Sequence, residues 1–506
     1  MPLHRKGDIF MQRKTSVLLL FLCAVLALPG CGEAASPASE QQPVPDTDLS
    51  AAETEAPADP TAEAVNAILA SYADKDYNGY EFKILDRDEE HHGEWMTCDV
   101  FSEGATGDPI NDAVYIRNQM LEETFNIKIT EAPAENPANV IKQIVPAGDD
   151  AYDLVTDGLC HLANLTSSNM LYDFNDISDI QLDGAWWDQN MRREFTICGK
   201  LFFETGDISI MDNEGTWCVL FNKQHAEQHD FGSLYELVNN GAWTMDRMYD
   251  MMKAVAADID GDGKMTKDDR WGYIGESFNI YAFWVGGGDR IASIGDDGLP
   301  TITMYNERSS SVYDKVLTMQ FDKSCSGLVS AAFSTFDEIY TCFKDGRALF
   351  EYGAMDLVSD YRDSATNFGI LPAPKYDEAQ KDYANTFSYG NMAAYSIPTT
   401  AGNIHRTGAI TEAMAQISRY TLTPAYYDVS LKGKFVRDTE SEEMLDLILN
   451  TRSYDIGSIL QWGTSFSIFT GAGAAKVGTF ASQYEKGKKG IEKAMNKYID
   501  ALRNME

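Results

Sequence analysis

The amino-acid sequence predicts an α/β fold with more than one lobe, and three observations carry this prediction. Strand-like and helix-like segments alternate along the chain from about residue 78 onwards. Of the 506 residues, 44% are hydrophobic, which is enough for a large buried core. Because a single hydrophobic core stops growing at about 250–300 residues, a chain of this length is expected to divide into at least two lobes.

The first elements of the globular part predict a parallel sheet. From their periodicity they are a strand at 80–85, a helix at 112–125, a strand at 127–129, a helix at 140–145 and a strand at 152–156. This order implies right-handed crossovers between parallel strands. Ligands of such sheets lie beyond the carboxyl ends of the strands, which places Trp95 and the turn at Asp157 on one rim.

The second half of the chain repeats this style without repeating the sequence. Its predicted elements are helices at 234–237 and 244–256, strands at 348–352 and 392–397, and helices after residue 403, including 442–449. No sequence period of 20–50 residues is present, which excludes a solenoid.

Residues 1–31 predict a lipoprotein signal peptide. Arg13 and Lys14 precede an apolar run over 17–28, the charge and hydropathy pattern of a secretory signal. The run is too short to span a bilayer, which takes about 20 residues. It ends in Leu28-Pro-Gly-Cys31, which resembles the bacterial lipobox, so we expect lipidation at Cys31 and an extracytoplasmic, membrane-anchored protein. An ordinary secretory signal that is cut nearby is the alternative.

Residues 32–77 predict a disordered tether. As far as residue 64 this segment is mostly Ala, Pro, Ser, Glu and Thr, with almost no large apolar side chain. Such a segment cannot bury enough apolar surface to offset the entropy lost on ordering. We therefore expect a flexible link between the lipid anchor and the globular part.

Charge and cysteine spacing exclude two kinds of site. The formal net charge is −37, whereas binding of nucleic-acid phosphates needs clustered Lys and Arg, so no nucleic-acid partner is expected. The six cysteines after Cys31 are scattered, with no C-x-x-C pair, which argues against a zinc site. Disulfide pairing cannot be assigned from this spacing.

The segment 258–269 resembles a calcium-binding loop, because carboxylates alternate at its positions 1, 3 and 5 and glycine follows at position 6. The ligands that this spacing predicts are Asp258, Asp260, Asp262, Lys264 through its backbone carbonyl, Thr266 and Asp269. Asp269 stands where a glutamate is usual, which shortens the reach of the last ligand. We expect a structural Ca²⁺, the alternative being a surface turn that needs no metal.

The sequence contains none of the common catalytic motifs. H-E-x-x-H, G-x-S-x-G and the phosphate-binding G-x-x-x-x-G-K-[ST] are all missing. The glycine-containing stretch 471–476 has lysine in place of the third glycine of a dinucleotide-binding loop. We therefore expect a binding protein and no enzyme.

Aromatic residues favour a sugar ligand. They make up 11% of the chain, and many lie in predicted loops. A sugar presents an apolar C–H face to a flat ring and a hydroxyl edge to polar side chains. Trp95 and Trp284 lie near glycine or acidic loop residues and are candidates for stacking. Burial in the core is the alternative for each of them.

Seven short motifs follow one another along the globular part: Asp108-Pro-Ile-Asn-Asp-Ala, Gly199-Lys-Leu-Phe-Phe-Glu-Thr-Gly, Val219-Leu-Phe-Asn-Lys, Trp243-Thr-Met-Asp, Asp269-Arg-Trp-Gly-Tyr, Gly346-Arg-Ala-Leu-Phe and Phe368-Gly-Ile-Leu-Pro-Ala-Pro. In this order they resemble family 1 extracellular solute-binding proteins, the maltose-binding-protein-like lipoproteins that serve ABC importers. The resemblance covers nearly all of the chain after the tether.

The resemblance implies a two-lobed, periplasmic-binding-protein-like (type II) fold with a ligand cleft between the lobes. It implies one lobe from 78–216 plus 352–392 and another from 217–351 plus 393–506. The crossings between the lobes then fall near 214–220, 350–353 and 390–394.

By the same resemblance, Asp157, Tyr281 and Trp284 match sugar-contacting positions. Met355 stands where some relatives carry a stacking tryptophan, which argues against a maltose-type ligand. The implied function is capture of a carbohydrate, an oligosaccharide by preference, for ABC permease subunits through hinge closure of a monomeric, lipid-anchored protein. A peptide or other solute binder of the same fold, and a secreted carbohydrate-active enzyme, are the alternatives.

Overall fold

The computed structural model describes residues 60–96, 98–361, 364–427, 439–471 and 476–505. The predicted signal peptide, the lipidation site Cys31 and the tether as far as residue 59 lie outside the described residues. Within the described part of the chain, no helix combines the length and the apolar character that crossing a membrane requires.

Helices and strands alternate along the described residues. The strands are β1 (Tyr80–Arg87), β2 (Ile127–Ala134), β3 (Leu154–Gly158), β4 (Trp217–Asn222), β5 (Trp271–Gly275), β6 (Ala292–Ile294), β7 (Pro300–Ile302), β8 (Ser326–Leu328), β9 (Ala348–Ala354), β10 (Phe368–Leu371) and β11 (Ala393–Ser396). The helices are α1 (Pro60–Ser71), α2 (Glu89–His92), α3 (Pro109–Phe125), α4 (Pro137–Ala147), α5 (Leu159–Thr166), α6 (Gln189–Phe195), α7 (Met211–Glu214), α8 (Lys223–Gln228), α9 (Leu234–Asn239), α10 (Met245–Val255), α11 (Asn279–Gly286), α12 (Glu307–Gln320), α13 (Phe336–Lys344), α14 (Asp356–Asp360), α15 (Ile404–Ser418), α16 (Leu422–Pro424), α17 (Thr439–Asn450), α18 (Ile456–Leu460), α19 (Ser467–Thr470) and α20 (Phe480–Arg503).

The first sheet has the strand order β11-β3-β1-β2. Strand β1 pairs in parallel with both β2 and β3, as the sequence pattern predicts. Strand β11 joins the sheet from far along the chain and runs antiparallel to β3. Helix α3 begins where Asp108 accepts hydrogen bonds from two backbone N–H groups, and it ends at Asn126 in a left-handed conformation.

The second sheet has the strand order β10-β4-β9-β5-β8. Strands β9, β5 and β8 are parallel neighbours, whereas β4 runs antiparallel to both β9 and β10. Every residue of β4 and of β5 is buried, as expected for central strands that are covered on both faces. The two sheets confirm the predicted α/β architecture.

The sheets divide the chain differently from the predicted lobes. Strand β10 falls in the range predicted for the first lobe, but it pairs with β4 in the second sheet. Strand β11 falls in the range predicted for the second lobe, but it pairs with β3 in the first sheet. Both strands are short and fully buried, so their partners are set by distant residues and not by their own sequences.

Two paired segments run between the sheets. The backbone N–H of Trp217 donates to the carbonyl of Thr386 (2.9 Å), and that of Ser388 donates to the carbonyl of Gly215 (2.7 Å). The first segment overlaps the crossing predicted near 214–220, and the second, at 386–388, lies just before the crossing predicted near 390–394. The segment 350–353 does not cross between the sheets as predicted, because β9 lies wholly within the second sheet.

Helix α1 corrects the predicted extent of the tether. The sequence predicts disorder as far as residue 77, but 60–71 form a helix that packs against α15 and α3. Val65 and Tyr72 are buried, and Ile68 and Leu69 are partly buried against the same core. This spacing of three and four residues gives the short helix one apolar face, which is enough to dock it on the globular part.

Candidate functional site

The carboxyl-terminal ends of the two sheets meet at a turn over residues 388–391. The backbone N–H of Leu159, at the start of α5, donates to the carbonyl of Met392 (3.0 Å), and that of Cys160 donates to the carbonyl of Tyr389 (3.4 Å). A side chain at Gly158 would overlap the carbonyl oxygen of Gly390. Glycine is therefore needed where the turn lies against the end of β3.

A group of four aromatic rings lies at this turn, and we call Trp217, Phe278, Tyr389 and Phe466 the cleft aromatic group. The ring of Tyr389 lies 5.6 Å from that of Phe278 and 4.7 Å from that of Phe466. Phe278 also contacts Trp217 at 5.7 Å. Tyr389 and Phe278 are only half-buried, so part of each ring is open to a ligand.

The cleft aromatic group joins the two sheets. The main chain of Tyr389 is bonded to α5, which follows the last strand residue of β3 in the first sheet. Its ring contacts Phe278, which lies three residues beyond the end of β5 in the second sheet. Ligands of open α/β sheets bind beyond the carboxyl ends of the strands, and this is the place where both sheets present those ends.

Glu276 supplies a carboxyl group beside these rings. Its backbone N–H donates to the side chain of Asn279 (2.6 Å), but its own half-buried carboxyl makes no hydrogen bond among the described residues. Burial raises the pKa of Glu276 to about 7. A carboxyl group in this position has free capacity for hydrogen bonds with a ligand hydroxyl.

Asp157 and His161 form a pair on the first-sheet side. Asp157 is fully buried, and its carboxylate accepts from the backbone N–H groups of Ala138 (3.0 Å) and Gly158 (2.7 Å) and from Nδ1 of His161 (3.0 Å). The hydrogen bond to Asp157 raises the pKa of His161 to about 10. The side chain of His161 is 36% exposed. The predicted ligand contact Asp157 is therefore enclosed, and it positions a cationic histidine at the rim.

Arg87, the last residue of β1, lies next to this pair. It is 2% exposed, and its Nε and Nη2 have no hydrogen-bond partner among the described residues. The parallel pairing of Leu85 with Val155 places Arg87 beside Asp157, two residues further along. Sequence patterns did not single out Arg87, because an arginine at a strand end is ordinarily read as a solvated residue.

Tyr281 and Trp284, two predicted sugar contacts, lie in the core. Every residue of α11 is buried. The Tyr281 hydroxyl donates to Asp455 (2.9 Å), and the Trp284 indole N–H donates to the carbonyl of Ser309 (3.1 Å). Their polar atoms are satisfied within the protein and they have no open ring face, so the structure does not place them on the cleft wall. Tyr281 instead supports the cleft aromatic group from behind, 5.1 Å from Phe466.

The other two predicted contacts are Met355, whose backbone N–H donates to the residue before Trp217, and Trp95, which lies on a separate turn. Met355 is fully buried after β9, with its sulfur 3.9 Å from that of Cys218. Its depth leaves no surface for a ligand. Trp95 ends a 3₁₀ turn (Gly93–Trp95) and is partly buried against the core. The structure does not bring these residues together with Tyr389.

The acidic loop has the shape of a cation site at its open end. Ligand atoms of Asp258, Asp260 and Asp262 lie within 4.8 Å of one another, and all three side chains are exposed. Asp258 also accepts from the backbone N–H groups of Gly261 and Gly263, each at 2.7 Å. Both glycines have positive φ, which lets the chain turn tightly around the carboxylates.

The closing residue of that loop is already engaged by the protein. Asp269 is buried and accepts from the backbone N–H groups of Ile259 (2.8 Å) and Thr266 (2.7 Å) and from the Thr266 hydroxyl (3.1 Å). Its carboxylate therefore closes the loop by hydrogen bonds. The three converging carboxylates fit a calcium ion, whereas Asp269 and Thr266 would have to exchange partners to become ligands.

A buried ion cluster lies beside the crossing segments. Nη2 of Arg452 donates to Asp188 (2.6 Å) and Asp212 (2.9 Å), and Nη1 donates to the Thr216 hydroxyl (3.1 Å). The hydroxyl of Tyr454 donates to the same oxygen of Asp188 (2.8 Å). The cluster ties three distant stretches of the chain together where the chain passes between the sheets.

No known family model matches this sequence, and no curated protein matches it either. Among solved structures, the chain is similar to a cyclo/maltodextrin-binding protein complexed with maltotetraose, with 13% identity, a TM-score of 0.52, and coverage of 84% of this chain and 96% of that one. UspC of M. tuberculosis matches with 14% identity, a TM-score of 0.53, and coverage of 82% and 100%.

A sugar transporter from Rhizobium etli in an open conformation matches with 11% identity, a TM-score of 0.52, and coverage of 85% and 100%. At these identities the likeness shows the fold. The predicted two-lobed, periplasmic-binding-protein-like α/β fold is therefore confirmed over most of the described chain.

Proposed function

We propose that this chain is an extracytoplasmic substrate-binding lipoprotein of an ABC importer and that it captures a carbohydrate between its two lobes. One observation carries the proposal above all: Tyr389 and Phe278 present half-buried rings where the carboxyl ends of both sheets meet. Solved structures that are similar to this chain include a cyclo/maltodextrin-binding protein and a sugar transporter, which supports the same ligand class.

The residues at the cleft suit a sugar. An aromatic face accepts the C–H side of a pyranose ring, and Tyr389 and Phe278 offer such faces. The hydroxyl edge needs donors and acceptors. Glu276 supplies a carboxyl that has no hydrogen bond within the described part of the chain, and His161 supplies a cationic N–H. Apolar faces and hydrogen-bonding groups are thus both present within one cleft.

Hinge closure follows from the position of the ligand. A sugar that contacts one lobe, and does so equally in the open and closed states, would not shift the equilibrium between those states. A sugar between Tyr389 and the rims of both sheets gains contacts only when the lobes close. The crossing segments at Gly215–Trp217 and Thr386–Ser388 are the natural hinge. Closure would create the composite surface that ABC permease subunits recognise.

The remaining parts of the proposal come from the sequence. Lipidation at Cys31 and the stretch after it would hold the globular part at the membrane surface as a monomer. The acidic loop 258–269 would hold a structural Ca²⁺ through the carboxylates of Asp258, Asp260 and Asp262. Neither feature takes part in ligand capture, and we propose no catalytic step.

The test is calorimetric titration of residues 32–506 against a panel of oligosaccharides, with chromatography of the sugar afterwards. We expect micromolar or tighter binding of at least one sugar without breakdown. Tyr389→Ala should weaken that binding by about tenfold, since one ring contact contributes about 0.5–1.5 kcal/mol in addition to buried area. Tyr305→Ala, which removes an exposed ring that stacks on Tyr484, is the matched control and should bind normally.

Each alternative class has its own result in this experiment. Binding of peptides or other solutes, with no response to any sugar, would retain the fold and refute the carbohydrate proposal. Breakdown of the sugar would instead indicate a secreted carbohydrate-active enzyme.

A further inference from the structure

Arg87 is a buried cation in the first sheet, and two of its donor nitrogen atoms have no hydrogen-bond acceptor among the described residues. It occupies the last position of β1 and is 2% exposed, yet its Nε and Nη2 find no acceptor among the described residues. Buried charged groups in proteins are normally paired and hydrogen-bonded, because removing them from water is costly. An arginine in this state requires an acceptor from outside the described chain or a functional reason for having none.

The two carboxylates whose charges act on Arg87, those of Asp157 and Asp99, are committed to other donors. The carboxylate of Asp157 already accepts from two backbone N–H groups and from His161. That of Asp99 accepts from the Ser209 hydroxyl (2.7 Å), from a backbone N–H (2.7 Å) and from the Tyr395 hydroxyl (3.3 Å). These carboxylates balance part of the charge of Arg87 from a distance, but they give its N–H groups no hydrogen bond.

The two free nitrogen atoms define the shape of the missing acceptor. Nε and Nη2 lie on one edge of the planar guanidinium, so their N–H bonds point in nearly parallel directions. Two acceptor oxygens held side by side fit this edge, and a carboxylate has that arrangement. A lone hydroxyl would satisfy only one of the two nitrogen atoms.

The position of Arg87 connects this edge with the candidate cleft. Arg87 lies beside Asp157 at the carboxyl end of the first sheet, where the turn that carries Tyr389 packs on α5. His161, which is partly exposed and paired with Asp157, adds a second cation to the same rim. Two cations thus lie at the carboxyl end of the first sheet, near the turn that carries Tyr389, in a protein whose overall charge is −37.

We propose that the ligand is an acidic sugar, a uronate, whose carboxylate binds the Nε–Nη2 edge of Arg87 while its ring stacks on Tyr389. This inference rests on the proposed function and specifies its ligand class. The ligand enters when the lobes open, and closure then encloses the carboxylate with its arginine. The Nε–Nη2 edge of Arg87 finds its acceptors only in the bound state, so this edge selects a ligand that carries a carboxylate.

The test compares each sugar acid with its own neutral form. Oligogalacturonate and oligomannuronate are titrated calorimetrically into residues 32–506, each beside its methyl ester, which keeps the skeleton and removes the charge. We expect at least one acid to bind about 30-fold more tightly than its ester. This ratio is the affinity that two charge-assisted hydrogen bonds to Arg87 contribute after the cost of desolvation is subtracted. Arg87→Met should abolish this ratio, and Arg193→Gln, at an exposed arginine, should leave it unchanged.

A structural role of Arg87 is separated from a binding role by a second variant and by thermal unfolding. Arg87→Lys retains the charge but lacks the planar edge, so it should fold and lose most of the preference for the acid over the ester. Arg87→Met should unfold at the same temperature as the wild type or higher without ligand, since it removes an unpaired buried cation.

The possible results separate this inference from the proposed function. Equal binding of acid and ester, or a preference that survives in both Arg87 variants, overturns the role of Arg87 while sugar binding stands. Binding of neutral oligosaccharides with no response to either uronate does the same. Silence across every acidic and neutral sugar overturns the inference and the proposed function together.

Discussion

Replacement of Arg452 by methionine should destabilise the protein strongly, because the side chain neutralises two buried acids. Arg452 donates to Asp188 and Asp212, and all three side chains are almost entirely enclosed. Burial opposes the ionisation of Asp188, but Arg452 and the other hydrogen bonds outweigh it and lower its pKa. Methionine would leave both carboxylates without their cation.

The magnitude follows from what remains in place. Removing one partner of a buried ion pair costs about 3–5 kcal/mol, chiefly because a charge is left uncompensated. Tyr454 continues to donate to Asp188, so we expect about 3 kcal/mol at pH 7.5. Burial already raises the pKa of Asp212 to about 7, so its carboxyl can protonate when the cation is absent. The loss should therefore be smaller at pH 5 than at pH 8.

Urea unfolding followed by circular dichroism measures this effect. The unfolding midpoint should fall with little change in slope, and adding Asp212→Asn to Arg452→Met should recover part of the loss. Arg290→Met, which breaks the partly exposed pair with Glu194, is the control and should cost under about 1 kcal/mol. A loss of under about 1 kcal/mol in Arg452→Met would refute the view that this cluster holds the crossing segments together.

Three further predictions concern pH, the turn and calcium. Burial raises the pKa of Glu351 to about 8 and of Glu214 to about 7, so the folded state binds more protons than the unfolded chain. The melting temperature should therefore fall as pH rises from about 4.5 to 8, and Glu351→Gln should flatten this dependence. A melting temperature that stays constant or rises over this range would contradict the prediction. Gly158→Ala should weaken sugar binding at least tenfold in calorimetry, because the methyl group of the alanine displaces Gly390 and the turn. Circular dichroism should show little loss of helix in this variant. Normal affinity would show that the turn is not part of the site. Terbium luminescence should report Tb³⁺ bound at the acidic loop; Ca²⁺ should displace the Tb³⁺, and Asp260→Asn should weaken its binding. An equal signal in that variant would place the cation elsewhere.

Local patterns predicted the first sheet well. The alternation at 80–85 and the apolar spacing at 112–125 are properties of the segments themselves, and both became regular elements close to the predicted bounds. Strand β11 was predicted at 392–397, whereas β10 was not predicted as a strand, and the predicted lobes assign each of them to the wrong sheet. Pairing depends on partners more than a hundred residues away, which a local pattern does not contain.

The candidate site was harder to predict because it joins distant loops. Phe278, Tyr389 and Phe466 belong to three separate segments, and composition alone does not tell which rings remain open. One signal could have excluded Trp284. The segment 279–286 is apolar on all sides, and a helix of that kind is buried. The resemblance to sugar-binding proteins predicted the cleft between the lobes, but most of the residues it assigned lie in the core.

The central claim is that a sugar bridges the two sheets at the cleft aromatic group. Amide hydrogen exchange with and without the tightest-binding sugar tests it most directly. The account predicts slower exchange in three places together: residues 157–161 at the end of β3, residues 275–278 after β5, and the turn at 388–391. Protection on one sheet only, or at a surface remote from Tyr389, would contradict closure of two lobes around the ligand.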